Sequence, residues 1–392
     1  MPQAYIIAAA RTAGGRKGGR LSGWHPADLG GALLDALVKR SGIEPARVED
    51  VIMGCVSQAG EQSVNIARNA VLASGLPESV PATTVDRQCG SSQQALHFAA
   101  QAVMAGSMDV VIAGGIESMS RVPMFMPSAL TEKNGFGSYM SPDMQKRYPG
   151  IRFSQFMGAE MIAEKYGLAK DDLDAYALKS HLRAIEAAST GRFADEIVVV
   201  PSRSADYEGD GPPHDTDEGI RYDASLEAIA SVRLLREGGR ISAATASQIC
   251  DGASGVVVVS GNALKQLGVE PIARIHHMSV IGHDPIIMLE APIPATARAL
   301  EKTGMSIRDI DLFEVNEAFA PVPLAWLQET GADPDRLNVN GGAIALGHPL
   351  GASGTKLMAT LLYALKHRNK RYGLQTMCEG GGLANVTIVE RL

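Results

Sequence analysis

Long apolar runs are missing from this chain of 392 residues. None approaches the roughly 20 residues that a bilayer-crossing helix needs, so no membrane span is expected. Cysteine is scarce as well: Cys55, Cys89, Cys250 and Cys378 stand far apart, which excludes a CxxC metal site and gives no disulfide framework. Free thiols suit a reducing cytoplasm. An excess of basic residues is also absent, since the net charge is −7. That balance excludes nucleic acid as the main partner, because phosphate binding needs clustered Lys and Arg. Aromatic residues make up only 5% of the chain, against 45% apolar residues overall and 42 glycines. This composition fits a tightly packed α/β protein with many close backbone approaches. Its length points to two or three domains. No metal or organic prosthetic group is indicated.

Residues 4–10 read as a first buried strand, although Arg11, Arg16, Lys17 and Arg20 precede the first acid, Asp28, as in a transit peptide. The glycine-rich run 14–20 lacks Walker or dinucleotide spacing and reads as a basic connection. A helix over 29–38 and a strand over 51–54 follow, the strand ending at Cys55, a packing residue. Residues 93–105 leave almost no polar face, predicting a helix buried all round and stopped by Gly106. A strand over 109–113 comes next, and this order implies a parallel sheet with helices on its faces.

The pattern returns near the C-terminus. Residues 337–340 lead through a glycine-rich turn into a helix with Leu357, Met358, Leu361, Leu362 and Leu365 on one face. Strands over 374–378 and 386–389 follow. Residues 44–53 and 306–315 also match, each a short polar helix running into a strand. The chain therefore reads as duplicated, with chemistry expected where strand ends and helix starts of the two α/β halves converge. Between the halves, about 121–239 is richer in Met, Pro, Asp and Gly, with helices over 156–165 and 171–188. Such an insertion can cover a site or hold subunits together. Its segment Met124-Phe125-Met126-Pro127 fits a subunit contact or packing on its own domain equally well.

Four stretches carry candidate chemistry. Cys89 precedes a helix, where unpaired N–H groups and the helix dipole favour the nucleophilic thiolate; a buried packing role is the alternative. His348, in Gly347-His348-Pro349-Leu350-Gly351-Ala352-Ser353-Gly354, has a rigid setting suited to a general base, although a lone loop histidine is also a common structural hydrogen-bonder. Cys378 ends a strand beside Gly380-Gly381-Gly382, an arrangement for proton transfer and an oxyanion hole. Asn316, in Asn316-Glu317-Ala318-Phe319, could fix a water or a histidine, or cap a helix.

Together these stretches, in this order, resemble the thiolase family over nearly the whole chain. The resemblance implies a thiolase fold, with duplicated βαβαβαββ halves stacked in five αβαβα layers. It divides the chain into an N-terminal half (1–120 plus about 248–270), an inserted loop domain (121–247) that covers the coenzyme A site and makes oligomer contacts, and a C-terminal half (271–392). It implies that Cys89 carries the acyl group, His348 removes its proton, Cys378 exchanges protons with substrate, and Asn316 holds a water beside His348. The N–H groups of Cys89 and Gly380 would form an oxyanion hole. Ser247, Met157, Arg221, Ala318 and Phe319 would contact coenzyme A, which is a substrate and not a bound cofactor. A cytoplasmic homotetramer or homodimer acting on acyl-CoA is expected, with no nucleic acid or membrane partner.

The reaction so implied is CoA-dependent cleavage of 3-ketoacyl-CoA with ping-pong kinetics. Phe156 stands where acetoacetyl-CoA-forming members commonly carry histidine, which disfavours the short-chain alternative, acetoacetyl-CoA thiolase. Residues 54–94 resemble bacterial members that degrade bulky acyl chains, including steroid side chains. Ser92 replaces a glycine usual in the family, and Glu379 sets an acid beside Cys378, raising the thiol pKa if it is buried. A ketosynthase is disfavoured by Cys378, and a non-catalytic acyl-CoA-binding protein has no need of a second cysteine.

Overall fold

The computed structural model describes residues 2–392. The first half runs β1 (Ala4–Thr12), α1 (Pro26–Ser41), β2 (Asp50–Gly54), α2 (Ile66–Leu72), β3 (Ala82–Val85), α3 (Ser91–Met104), β4 (Val110–Ser118) and, after a long insertion, β5 (Cys250–Ser260). The second half repeats it with β6 (Ala273–Gly282), α6 (Pro292–Thr303), β7 (Leu312–Val315), α7 (Pro321–Thr330), α8 (Ser353–His367), β8 (Tyr372–Glu379) and β9 (Leu383–Arg391). Helices α4 (Gln155–Lys165) and α5 (Lys170–Ser189) belong to the insertion.

The strands lie in the order β7-β8-β9-β6-β1-β5-β4-β2-β3. Each half has the same senses. In the first, β3, β2 and β4 are parallel while β5 and β1 are antiparallel; in the second, β7 and β8 are parallel while β9 and β6 are antiparallel. The parallel sheet expected for the strand–helix–strand units is found in β3, β2 and β4 and again in β7 and β8, while β5 and β9 run antiparallel to their neighbours and make each half mixed. The counterpart of β3 is reduced to a single bridge between Leu337 and Phe313.

Strand alternation builds the layers. Val257 and Val259 of β5 face α1 and α2 with Leu33, Leu37 and Val71, whereas Val256 and Val258 face α3 and α8 with Leu96, Val103, Met358 and Leu362. The second sheet packs Leu312 and Val389 on the same central helices, and Phe313, Leu374 and Ile388 outward with Trp326 of α7. Five αβαβα layers result. The central pair differs from expectation in a complementary way. Helix α8 is buried from Ser353 to Leu365 rather than on one face, whereas α3 exposes Phe98 and Gln101. The two helices start so close together that a Cβ on Gly354 would lie 2.2 Å from the Gln93 nitrogen. Glycine is required there.

The insertion leaves the first half but packs on the second, with Ala159, Ile162, Leu173 and Tyr176 joining the Trp326 core. Arg11 of β1 anchors it. Its buried guanidinium forms paired hydrogen bonds with Asp217, of 2.7 and 3.0 Å, and one of 2.6 Å with Glu196. The basic run after β1 wraps Glu218, which accepts from the Arg16 and Arg20 N–H groups. No helix among the described residues is long and apolar enough to cross a membrane.

Candidate active site

The turn between β3 and α3 is locked before it presents Cys89. Gln88 holds a left-handed φ of 50°, a conformation that costs of order 1–3 kcal/mol and persists where surroundings enforce it. Here Asp86 accepts from the Gln88 N–H at 2.7 Å, and Ser91 Oγ accepts from the Arg87 N–H and donates to the Gln88 carbonyl. The Cys89 side chain is buried with Leu350 and Leu357, which follow His348, and Met377, which precedes Cys378. Strand ends and helix starts of both halves therefore meet at this thiol.

His348 leaves the turn before α8. Its backbone N–H donates to the Gln248 carbonyl at 3.0 Å, while Lys356 Nζ, buried on α8, donates to the carbonyls of Leu346 and Gly347 at 2.5 and 3.0 Å. The imidazole Nδ1 lies 2.5 Å from Ser353 Oγ, and that hydroxyl donates its one hydrogen to the Pro349 carbonyl. Ser353 can therefore only accept from the ring, which places the proton on Nδ1. On the other side Asn316 Nδ2 lies 3.3 Å from Nε2, and an amide N–H there also requires Nε2 to carry the lone pair. Nε2 is thus the basic atom. Burial, then the Lys356 charge, push the His348 pKa down to about 3, so the ring is neutral at rest.

Asn316 follows β7, its N–H bonded to the Thr376 carbonyl of β8 at 3.1 Å, and its buried Oδ1 has no partner among the described residues. It does not cap a helix. Next to it, Glu317 accepts from Tyr176, Ser180, Asn338 and the Ile344 N–H, tying α5 to the strand end. Glu117 does the same on the opposite side, accepting from Val56, Ser57, Gln62 and the Gly351 N–H beside His348.

One expectation is corrected. Cys89 is not poised as a thiolate: burial, and then the neighbouring Glu379, push its pKa up to about 12. Desolvation outweighs the helix start, so the resting pair is thiol and neutral imidazole. Cys378 is wholly buried, and its pKa is raised by burial, Cys89 and Glu379. Neither the Cys89 N–H nor the Gly380 N–H bonds a carbonyl of another described residue. The two turns interlock, since a Cβ on Gly380 would meet Gln88 at 2.8 Å and one on Gly90 would meet Glu379 at 1.9 Å. Ser92 has an unforeseen use: its hydroxyl accepts from the Thr355 N–H at the start of α8.

Ser247 donates its N–H to the Ala318 carbonyl at 2.9 Å, and Ala246 bridges to Phe319. Phe156 packs edge-on against Phe319 with centroids 5.5 Å apart. Met157 beside it is exposed, with Arg236 Nη1 at 3.8 Å from its sulfur. Ser247 thus lies against Ala318, and Phe156 brings the Met157 helix turn onto Phe319, with Ala318 and Phe319 themselves buried. Arg221 lies farther out and exposed, its N–H on His181 Nδ1 at 3.2 Å. Sequence reading missed Ser353, Lys356, Glu117 and Arg236. Ser353 lies inside the quoted run, but only its bond to the imidazole reveals its use.

Fold and site together define a class: a duplicated α/β acyltransferase with two buried thiols and a histidine between its halves. The pattern described as Thiolase, N-terminal domain matches residues 4–262, and Thiolase, C-terminal domain matches 269–391. A steroid 3-ketoacyl-CoA thiolase of Mycobacterium tuberculosis is 53% identical over 394 aligned positions, covering all of this chain and 95% of the relative. An acetyl-CoA acetyltransferase of Chromobacterium violaceum is 41% identical, covering 98% of this chain and 99% of the relative. The crystal structure of the Bacillus anthracis acetyl-CoA acetyltransferase superposes with a TM-score of 0.91 at 34% identity, covering 100% of this chain and 99% of that one. The chain belongs to the thiolase family. It is an acyltransferase acting on CoA thioesters.

Proposed function

We propose that this thiolase cleaves bulky 3-ketoacyl-CoA with CoA, giving acetyl-CoA and an acyl-CoA shortened by two carbons. The observation that carries the mechanism is the hydrogen-bond network that leaves His348 Nε2 as the proton acceptor. Nε2 takes the Cys89 proton as sulfur attacks the keto carbon. The bond between C2 and C3 then breaks, its electron pair goes to C2, and Cys378 protonates C2 to release acetyl-CoA. The Cys378 thiolate takes the proton of an incoming CoA thiol, which attacks the Cys89 thioester; the departing Cys89 sulfur recovers its proton from His348. Asn316, with a water and His348, stabilises the enolate oxygen, and the N–H groups of Cys89 and Gly380 stabilise the tetrahedral oxyanion.

Ser247, Ala318, Phe319 and Met157 hold the pantetheine arm in this reading, with Arg221 toward the nucleotide end. The likeness to the steroid relative and the Phe156–Phe319 contact favour a bulky substrate. The acetyltransferase relatives favour acetoacetyl-CoA as the second reading. We place the inserted loop domain at 121–247, between halves 1–120 plus about 248–270 and 271–392, as cover of this surface and as the contact of a cytoplasmic dimer or tetramer. Thiolysis of acetoacetyl-CoA and of a ring-bearing 3-ketoacyl-CoA, compared by kcat/KM, tests the substrate. Preference for the ring-bearing ester supports the proposal; preference for acetoacetyl-CoA overturns it in favour of the short-chain reading.

A further inference from the structure

Glu379 ends β8 next to Cys378 and is wholly buried. One carboxyl oxygen, Oε1, accepts from the Asn385 N–H at 3.1 Å, while Oε2 has no partner among the described residues. The carboxyl fills the space left by the missing side chain of Gly90, the residue after Cys89; a Cβ there would fall 1.9 Å from Oε1 and 2.5 Å from Cδ. Behind it, Asn385 Nδ2 donates to Gln94 Oε1 and to His97 Nδ1, both at 3.2 Å, and His97 Nε2 lies 2.8 Å from Thr387 Oγ1. His97 is neutral, its pKa pushed down to about 3 by burial. The groups that act on Glu379 and its thiol neighbours are Arg87 and Asp86 in the Cys89 turn, Glu117 on β4, and the two cysteines. Arg87 is the one cation among them.

We propose that Glu379 is a positioning residue that works as an uncharged carboxylic acid: braced by Asn385, it holds the Cys89 turn against the Cys378 strand, and its ionisation shuts off formation of the Cys89 thiolate. This rests on the thiolase mechanism above. A charge on Oε2 would be buried without a hydrogen bond, and it would repel the thiolate that must form on Cys89. Burial accordingly pushes the Glu379 pKa up to about 8, with Arg87 and the Asn385 N–H opposing. The neutral form then predominates at pH 7 and falls away as pH rises through 8.

The test compares the pH profile of kcat/KM for acetoacetyl-CoA thiolysis in wild type and Glu379→Gln, which keeps the shape and cannot ionise. The protonated fraction falls about tenfold from pH 7 to pH 9 for a group of that pKa. The ratio of variant to wild-type kcat/KM is therefore expected to rise about tenfold over that range. A ratio that stays flat, with the same alkaline limb in both proteins, overturns the proposal. Infrared titration of folded wild type minus Glu379→Gln reads this acid apart from the other buried carboxyls, Glu117, Glu196, Glu314 and Glu317, whether or not the protein turns over. A buried protonated carboxyl band that disappears near pH 8 supports the proposal, and no such band overturns it. A wild type inactive on every 3-ketoacyl-CoA would refute the functional reading instead.

Discussion

Replacing Ser353 by alanine removes the sole acceptor of the His348 Nδ1 proton, 2.5 Å away in a site where the serine is 2% exposed. Leaving a buried donor unsatisfied costs about 1–3 kcal/mol, and hydrogen bonds to charged groups contribute about 1.5–3 kcal/mol. The charged case applies during acylation, when the ring gains the Cys89 proton and becomes imidazolium. At about 1.4 kcal/mol per tenfold, Ser353→Ala should lower kcat/KM by roughly 10- to 100-fold. The assay is thiolysis kinetics with nitrogen NMR of labelled histidine, which reads the tautomer. Wild type should show the proton on Nδ1, and Ser353→Ala should weaken that preference, leaving only the Asn316 amide to favour it, while Ser353→Thr restores both the hydroxyl and part of the rate. A kcat/KM within threefold of wild type and an unchanged tautomer would refute the role assigned to Ser353.

Burial holds His97 and His348 near pKa 3, below the ordinary value of 6.5. The unfolded chain therefore binds their protons first, and stability is lost as pH falls from 6.5 toward 3. At pH 5 this amounts to about 2 kcal/mol for each ring, as an upper limit. The difference in urea midpoint between pH 7 and pH 5 should shrink in His97→Gln; an equal difference would contradict the linkage. Lys356→Met strips the donor from the carbonyls of Leu346 and Gly347. A lower melting temperature and a roughly tenfold lower kcat should follow, and unchanged values of both would show that the loop needs no such brace. Gly90→Ala drives a methyl into Glu379 and should abolish most activity, whereas the Gly90→Ala, Glu379→Ala double variant should recover part of it. Strict additivity of the two losses, measured by kcat/KM, would deny the contact.

The duplication was legible because apolar periodicity and glycine turns recur at matching places, and the paired short helices at Pro45–Arg47 and Ile307–Asp309 fall where the repeat requires them. The parallel core of each half was legible too, but the antiparallel return of β5 and β9 was not, since nothing local in either strand tells a returning antiparallel strand from a crossover. Helix α3 was read as buried all round because Phe98 is apolar, yet its exposure depends on which neighbour covers it. The chemical stretches could be named from residue types in sequence, but the state of Cys89 could not. That state depends on Glu379, 290 positions later, and on burial between halves that only the fold brings together. Ser353 and Lys356 were hidden for a different reason: they act on a ring nitrogen and on backbone carbonyls of the nearby loop, contacts that residue type does not announce.

The central claim is that Cys89 carries the acyl group. Intact-protein mass spectrometry after mixing the enzyme with a 3-ketoacyl-CoA in the absence of free CoA, followed by peptide mapping, tests it most directly. One shortened acyl group on Cys89, released on adding CoA and absent in Cys89→Ala, is the predicted result. An acyl adduct on Cys378 or Cys250, or turnover that persists in Cys89→Ala, would contradict the account.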